Sequence, residues 1–582
     1  MLSPKTSSTP SVAFASLEDM SLKIRQKSKL KGRQVDDESL QEVLALLATD
    51  AEALKLRRDL LIEHLHKLND NYRGLHERHL VALSKLMNVS MAEVFEVATF
   101  YHHFEIIRDG EQAPQFTVRV CDGLSCHLSG ADTLLEKVKE SVGVQNVKVV
   151  PAPCMGRCEQ APVAVVHQHE IGHASLDNVL QAVQSEAIHA VVPDYIDFNA
   201  YVAEGGYALL QNVASGTKVT EETEAVLKAM EDSGLRGLGG AGFPAGRKWR
   251  IVREQAAPRL MAVNIDEGEP GTFKDRTYLE RDPHRFLEGL LIAAHAVGVG
   301  ACYIYLRDEY HGARALLESE LARLQANPPC ALPLIELRRG AGAYICGEES
   351  AMIESIEGKR GEPRMRPPYI AQVGLFGLPT LEHNFETLYW VRDIVEKGAS
   401  WFSSFGANGR KGLRSFSVSG RVKHPGVKLA PAGITLRELI DQYCGGMLDG
   451  HTLYAYLPGG ASGGILPASM DNIPLDFDTL QPYGCFIGSA AVIVLSQHDT
   501  AREAALNMMR FFAHESCGQC TPCRVGTAKA VSLMEAPHWD NATLEDLSQV
   551  MGDASICGLG QAAPNPIRCV QKYFPHELGG QS

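Results

Sequence analysis

The chain of 582 residues lacks any run of about 18 consecutive apolar residues, so the sequence predicts no transmembrane helix. Its most apolar stretch, LEGLLIAAHAVGVG at 287–300, is too short to span and reads as a buried helix. The chain also lacks an excess of positive charge. Its formal net charge of −14 argues against nucleic acid as the main partner, because a phosphate backbone needs a basic face. An apolar h-region is missing near the N-terminus, so no secretory signal is expected. Residues 1–37 are polar and hydroxyl-rich with a basic run, KIRQKSKLKGRQ, and read as a disordered tail, a transit peptide being the alternative. Without a secretory route, the fourteen cysteines are expected to stay reduced in a cytoplasmic setting. Eight of them fall into tight or paired spacings, which favours metal ligation over disulfides.

What is present is a multidomain α/β chain, too long for one core. After the tail, apolar residues recur at three- and four-residue steps, predicting a helical bundle over 38–110. Within it VSMAE carries a capping box, Ser90 with Glu93. Residues 111–192 alternate strand and helix in a small α/β domain, opened by FTVRVC. Residues 193–412 mix helices, glycine-dense loops and buried strands (LMAVNID, ACYIYLR, LIELRRGAGAYIC). Residues 413–488 read as a β-grasp module, and 489–582 as a second helical unit.

Two sets of thiols stand out. Cys121 and Cys126 in CDGLSC, with Cys154 and Cys158 in CMGRC, each follow a predicted strand and so share one end of the small domain. Four thiolates there can hold a [2Fe–2S] cluster. Structural zinc would also take four, but its pairs are usually spaced C-x2-C, whereas these gaps are four and three residues; zinc and free thiols remain alternatives. In ESCGQCTPCRVG (515–526), Cys517, Cys520 and Cys523 form C-x2-C-x2-C, and Cys557 in SICGLG is the natural fourth ligand. This reads as a [4Fe–4S] site, with zinc as runner-up. Cys302, Cys330, Cys346, Cys444, Cys485 and Cys569 have no partner at ligand spacing and read as small buried apolar residues.

Three further stretches suit a nucleotide. GLRGLGGAGFPAGRKW (234–249) holds a formal G-x-G-x-x-G, yet it follows a helical, acidic segment rather than a strand, so a true Rossmann fingerprint is not expected. Its glycines still let backbone N–H groups approach phosphates, and Arg236, Arg247 and Lys248 could neutralise them; a plain mobile loop is the bland alternative. NIDEGEPGTFKDR (264–276) clusters four carboxylates and an asparagine at a strand end, and GAYICGEES (342–350) repeats the theme with Gly347, Glu348 and Glu349. Carboxylates repel phosphates, so these suit ribose hydroxyls or ring N–H groups, and favour NAD over NADP; a solvated acidic turn or a divalent-metal site is the alternative for the first.

Together with HNFETL (383–388), these motifs resemble the NADH-binding flavoprotein subunit of respiratory complex I and the diaphorase subunits of soluble NAD-linked hydrogenases and formate dehydrogenases. Residues 38–190, including VATFYHHF (97–104), resemble the family's thioredoxin-like [2Fe–2S] subunit. The resemblance implies a Rossmann-like FMN- and NAD-binding domain, an SLBB-type β-grasp domain and a C-terminal [4Fe–4S] bundle. It implies that Gly237, Gly239, Gly240 and Lys248 help form the FMN and dinucleotide loops, where Arg236 is the candidate phosphate neutraliser read above. Asn264, Asp266, Glu267 and Asn384 would contact FMN, with Gly347 and Glu348 beside them. Glu269 would lie by the nicotinamide and Glu349 by the adenosine ribose, with Phe243 and Tyr369 as aromatic partners of the dinucleotide. The chain departs from the family at Leu238, where an arginine is usual, and at His383, where an asparagine is usual.

The implied activity is a diaphorase passing electrons between NAD(H), FMN, one [2Fe–2S] and one [4Fe–4S] cluster. The chain lacks molybdopterin-binding length and the C-x-x-C pairs of a nickel site, so the upstream substrate belongs to a partner. The favoured partner is a formate dehydrogenase α subunit carrying molybdopterin with Mo or W; hydrogenase subunits and a complex-I-type module are the alternatives. A non-enzymatic, metal-stabilised redox-sensing scaffold is the reading from a different class.

Overall fold

A computed structural model describes residues 33–47, 57–142, 146–215 and 219–579. Of the tail expected over 1–37, residues 1–32 lie outside the described residues. Arg33 is tied down by ion pairs to Glu77 (2.6 Å) and Asp109 (2.5 Å). The bundle comprises helices Asp37–Leu47, Leu61–Tyr72, Glu77–Met87 and Met91–Phe100. The last starts at the expected capping box: Ser90 Oγ accepts from Glu93 N, and Glu93 Oε2 accepts from Ser90 N. A short parallel pair, β1 (Leu75–His76) with β2 (Ile106–Ile107), closes this unit.

The small α/β domain holds β3 (Phe116–Cys121), β4 (Val147–Ala152), β5 (Ala164–Val166) and β6 (His169–Ile171) in the order β4-β3-β5-β6. β3 runs parallel to β4 and antiparallel to β5. Phe116, Val118 and Val120 alternate into its core, as the sequence pattern requires.

The large domain is a parallel sheet of β7 (Arg259–Ile265), β8 (Val299–Leu306), β9 (Leu334–Arg339) and β10 (Thr380–Asn384), ordered β10-β7-β8-β9. A parallel sheet is covered on both faces, which is why β7 and β8 read as near-continuous apolar runs. The apolar stretch at 287–300 forms most of helix Pro283–Val297, buried as expected. Asp282 caps its start, and Gly298 ends it at φ +74°. The strand read through LIELRRGAGAYIC stops at Arg339. Gly342 takes φ +74°, a left-handed turn that breaks the extended run, and Tyr344–Gly347 is a short 3-10 turn.

The β-grasp unit holds β11 (Leu413–Gly420), β12 (Gly426–Pro431), β13 (Leu453–Leu457), β14 (Leu466–Pro467) and β15 (Ala491–Ser496), ordered β12-β11-β15-β13-β14. The limit expected at 488 falls before β15, the central strand. β15 is buried at every residue and so shows no alternation to read. The C-terminal helices are Ala501–Glu515, Thr521–Met534, Asn541–Ala554, Gly558–Ala562 and Asn565–Tyr573. Among the described residues, no helix is long and apolar enough to cross a membrane.

One hydrophobic core runs from the bundle through the large domain and β-grasp unit to the C-terminal helices, while the small α/β domain has its own. Buried carboxylates fasten segments to this framework. Glu288, on helix Pro283–Val297, is fully buried and accepts from Tyr201 Oη (2.5 Å), Tyr207 N (3.0 Å) and Leu210 N (3.3 Å). Replacing it by alanine strands two backbone donors, at about 1–3 kcal/mol each. Glu288→Ala is therefore expected to lower the thermal midpoint and open 195–215 to protease, with Glu288→Gln milder. An unchanged midpoint would show that water replaces the carboxylate.

Candidate functional site

The sheet order reverses between β7 and β10, the place where open α/β sheets bind ligands. The carboxyl ends of these strands bring Asn264 and Asn384 together as register partners. Asn264 Oδ1 accepts from Asp266 N (3.0 Å), and its Nδ2 donates to Gly347 O (2.8 Å). Asn384 Oδ1 caps the following helix through Glu386 N (3.0 Å), and its Nδ2 donates to Asp275 Oδ2 (2.7 Å). The glycine-rich loop crosses directly above. A Cβ on Gly239 would stand 2.9 Å from Asn384 Cβ, so no larger residue fits without displacement. Around this point lie two chambers of about 700 and 270 Å3, which share Gly239, Gly240, Asn264, Gly347, Glu348, Asn384 and Gly558.

The larger chamber gathers Gly237, Phe243, Lys248, Glu349 and Tyr369, all expected from the sequence, and also Arg247 and His383. Phe243 and Tyr369 are 39% and 56% exposed, as rims available for stacking must be. Lys248 Nζ binds Glu382 Oε2 (3.0 Å); burial pulls its pKa down, but Glu382 and Glu349 raise it overall, so it stays cationic. Glu349 pairs with Arg366 (2.9 Å), and Glu348 caps its own helix through Ser350 N and Ala351 N. His383 is held neutral by burial, its Nε2 accepting from Trp249 Nε1 (2.6 Å).

Arg236 does not join this chamber. Its guanidinium donates to Gly242 O (2.5 Å), pairs with Asp478 (2.6 Å) and lies over the Phe477 ring. The cations of this stretch that line the chamber are Arg247 and Lys248 instead, because the loop's own turn directs Arg236 to the β-grasp unit. Leu238 is buried in the core and stays out of the cleft as well.

The smaller chamber holds Asp266, Glu267, Glu269, Lys274 and Asp275. Asp266 Oδ2 is buried without a partner, and burial holds its pKa well above the usual range. Glu267 lines the chamber, but its oxygens are taken by Asp275 N (2.9 Å), Arg276 N (3.1 Å) and Tyr310 Oη (2.8 Å); burial and Asp275 push it up to about 7. Glu269 Oε1 accepts from Ser462 N (2.7 Å), and its Oε2 accepts from Tyr344 Oη; burial raises its pKa. Tyr344 and Ser462 were not singled out in the sequence. Tyr344 lies inside GAYICGEES, and the PGGASGG turn at 458–464 was a readable signal for Ser462.

The thiols assemble beside this cleft. Cys121 is in hydrogen-bond contact with Cys126 and Cys154, and Cys154 Sγ lies 3.3 Å from Cys158 Sγ. Cys154 and Cys158 pack on Phe273, from the same acidic loop that lines the smaller chamber. Cys523 contacts Cys520, while Cys517 lies within electrostatic reach of both Cys520 and Cys557. Among the described residues, no three of these thiols lie mutually within 4.8 Å. Four thiolates in each set are the ligand number that an iron–sulfur cluster takes. Gly558, next to Cys557, walls both chambers.

The family model described as the Nuo51 FMN-binding domain matches residues 230–393, and the NADH-ubiquinone oxidoreductase-F iron-sulfur binding region matches 503–581. The thioredoxin-like [2Fe-2S] ferredoxin matches 48–187 and the SLBB domain 415–466. An F-type subunit of the NADH-quinone oxidoreductase of Rhizobium meliloti (strain 1021) is 40% identical over 403 residues, 66% of this chain and 94% of the relative. The mitochondrial NADH dehydrogenase [ubiquinone] flavoprotein 1 of Dictyostelium discoideum is 40% identical over 396 residues, 65% and 82% of the two chains. The chain belongs to this flavoprotein family. A crystal structure of an NAD+-reducing [NiFe]-hydrogenase in the H2-reduced state is similar at TM-score 0.78 and 33% identity, over 90% of this chain and 92% of that one.

As a member of the family, the chain is an NAD-linked flavin iron–sulfur oxidoreductase subunit, which sets the scaffold reading aside. Its cofactors are FMN, NAD(H), one [2Fe–2S] and one [4Fe–4S] cluster. The residues fit them: Gly240 and Gly558 face open space, and Asp266 offers an unpartnered buried oxygen. A Gly239→Ala variant would press on Asn384, which cannot turn away without breaking its cap and its bond to Asp275. Overpacking of about 1–3 kcal/mol should weaken FMN retention about tenfold or more. Gly558→Ala, whose Cβ meets no protein atom, is expected to keep the fold intact. Flavin fluorescence after dialysis reads the difference.

Proposed function

We propose that this chain is the β subunit of an NAD-dependent, molybdenum- or tungsten-containing formate dehydrogenase, a diaphorase that exchanges electrons between NAD(H) and a partner α subunit. The observation that carries the diaphorase reading is the shared wall: Gly558 borders both chambers and adjoins Cys557 of the second thiol quartet. FMN, when bound, supplies the conversion between a two-electron hydride and single electrons. The protein's part is to bind and position. In this reading Asn264, Asn384 and the loop Gly237–Gly240 shape the flavin cradle. Arg247 and Lys248 neutralise phosphate, Glu349 takes the adenosine ribose, and Phe243 and Tyr369 stack on the dinucleotide. Cys121, Cys126, Cys154 and Cys158 hold the [2Fe–2S] cluster; Cys517, Cys520, Cys523 and Cys557 hold the [4Fe–4S].

Glu269 is the positioning residue for the nicotinamide. Tyr344 and Ser462 fix both of its oxygens, so its place does not depend on its own rotamer freedom. Glu269→Gln keeps an acceptor for Ser462 N but sets an amide against the Tyr344 hydroxyl. NADH-driven ferricyanide reduction should fall about 10–100-fold, equivalent to about 1.4–2.7 kcal/mol. Flavin and iron content should stay unchanged. Full activity in this variant would remove Glu269 from the reaction.

Support for a formate partner is that both thiol pairs of the first quartet are intact in the sequence, whereas hydrogenase diaphorases of the family sometimes lose them. The hydrogenase reading has its own support in the likeness to the NAD+-reducing [NiFe]-hydrogenase chain. A cytoplasmic setting accompanies either reading, since cysteines set aside for cluster ligation rather than disulfides suit a reducing compartment. Metal analysis of the complex isolated from its native cell decides. Molybdenum or tungsten with formate-dependent NAD+ reduction is expected; nickel with hydrogen-dependent reduction would replace the formate assignment.

A further inference from the structure

Cys485 and Cys569, read from the sequence as isolated buried thiols, are not isolated. Their Sγ atoms stand 3.5 Å apart, although 84 residues separate them in the chain. Among the described residues they form the one cysteine–cysteine contact recorded outside the two proposed ligand quartets. Cys485 ends the turn Gln481–Tyr483 of the β-grasp unit, and Cys569 sits on helix Asn565–Tyr573 of the C-terminal bundle. Both thiols press on Gly464, whose absent Cβ would lie 2.6 Å from one sulfur and 2.9 Å from the other. The same joint carries Asn565 Nδ2 donating to Ser462 O (2.9 Å) and Tyr573 Oη donating to Tyr483 O (2.9 Å). Cys485 and Cys569 are each 2% exposed, and the turn next to Cys485 is exposed at Gln481, Pro482 and Gly484.

We infer that Cys485 and Cys569 are a reversible dithiol–disulfide site, oxidised by peroxide, that bolts the C-terminal cluster-bearing bundle to the β-grasp unit. The Cys569 thiolate attacks one peroxide oxygen; the S–O bond forms as the O–O bond breaks, and water leaves after protonation. The Cys485 sulfur then displaces hydroxide from the sulfenic acid, which leaves as a second water. Two thiols lose two electrons and two protons, and hydrogen peroxide becomes two waters. A dithiol reductant reverses the step. Cys569 is taken as the attacking sulfur because the contact with Cys485 and Lys572, three residues along the same helix, lower its pKa. A disulfide requires the sulfurs to close from 3.5 Å to about 2.05 Å.

The test uses the purified holoprotein, titrated with hydrogen peroxide, alkylated and digested without reduction. Mass spectrometry is expected to find the Cys485 and Cys569 peptides linked, with two titratable thiols lost and regained on adding dithiothreitol. In Cys485→Ser the link disappears and Cys569 instead accumulates a dimedone-reactive sulfenic acid. Heating should bleach the iron–sulfur absorbance at a higher temperature in the oxidised wild type than in oxidised Cys485→Ser. Two results would overturn the inference. One is that both thiols stay reduced while other free cysteines oxidise. The other is that Cys569 in the wild type proceeds to sulfinic acid without any link.

Discussion

Burying a carboxylate is costly without donors, and for Glu269 and Glu515 the donors come from other units. Glu269 rises from the acidic loop of the large domain, yet its oxygens are held by Tyr344 from the next loop and Ser462 from the β-grasp unit. Ser462 is itself held by Asn565 of the C-terminal bundle. Glu515, the last residue of helix Ala501–Glu515, accepts from Tyr344 N (2.8 Å), immediately before the thiol quartet begins. These acids could not sit where they do if any one unit were displaced. The cleft is therefore a product of assembly, and its chambers are walled by residues from the large domain, the β-grasp unit and the C-terminal bundle.

The parts of the site carried by local chain geometry were legible in the sequence. Thiol spacing pointed to two sets of four cysteines, and the structure brings Cys121, Cys126, Cys154 and Cys158 into contact; glycine density pointed to the loop over Asn384, and clustered carboxylates after an apolar strand to the floor of the smaller chamber. Contacts across units were not legible. Arg236 looked like a phosphate ligand because it stands among glycines, but Phe477 and Asp478, some 240 residues later, claim it. Cys485 and Cys569 looked solitary for the same reason. Ligand spacing is a local signal, and their meeting is created by a helix docking on a turn 84 residues away. β15 was missed because a strand buried on both faces loses the period-two pattern that would reveal it.

The first quartet is attached differently from the second. The C-terminal bundle shares the main hydrophobic core, whereas the thioredoxin-like domain keeps a core of its own. Its seat on the large domain is polar: Arg276 Nε donates to Gly156 O (2.8 Å), Arg307 Nη2 donates to Cys154 O (2.7 Å), and Arg157 pairs with Glu280 (2.9 Å). Each of these guanidiniums is largely buried and bonded to backbone carbonyl or carboxylate, so the seat is specific in orientation. Phe273 supplies the apolar contact at its centre, directly against Cys154 and Cys158.

A polar seat of this kind gains little from the hydrophobic effect, and buried ion pairs return much of their attraction as desolvation. Separate chains would have to meet that cost together with the loss of translational freedom on association. Joining the two units in one chain removes the second term, because the linker holds the docking surfaces at high effective concentration. The linker is itself fastened: Tyr195 Oη and Phe198 N both donate to the fully buried Glu320. Fusion thus lets a polar, orientation-specific joint hold the first thiol quartet against the loop that floors the smaller chamber, where an apolar interface would otherwise have been needed.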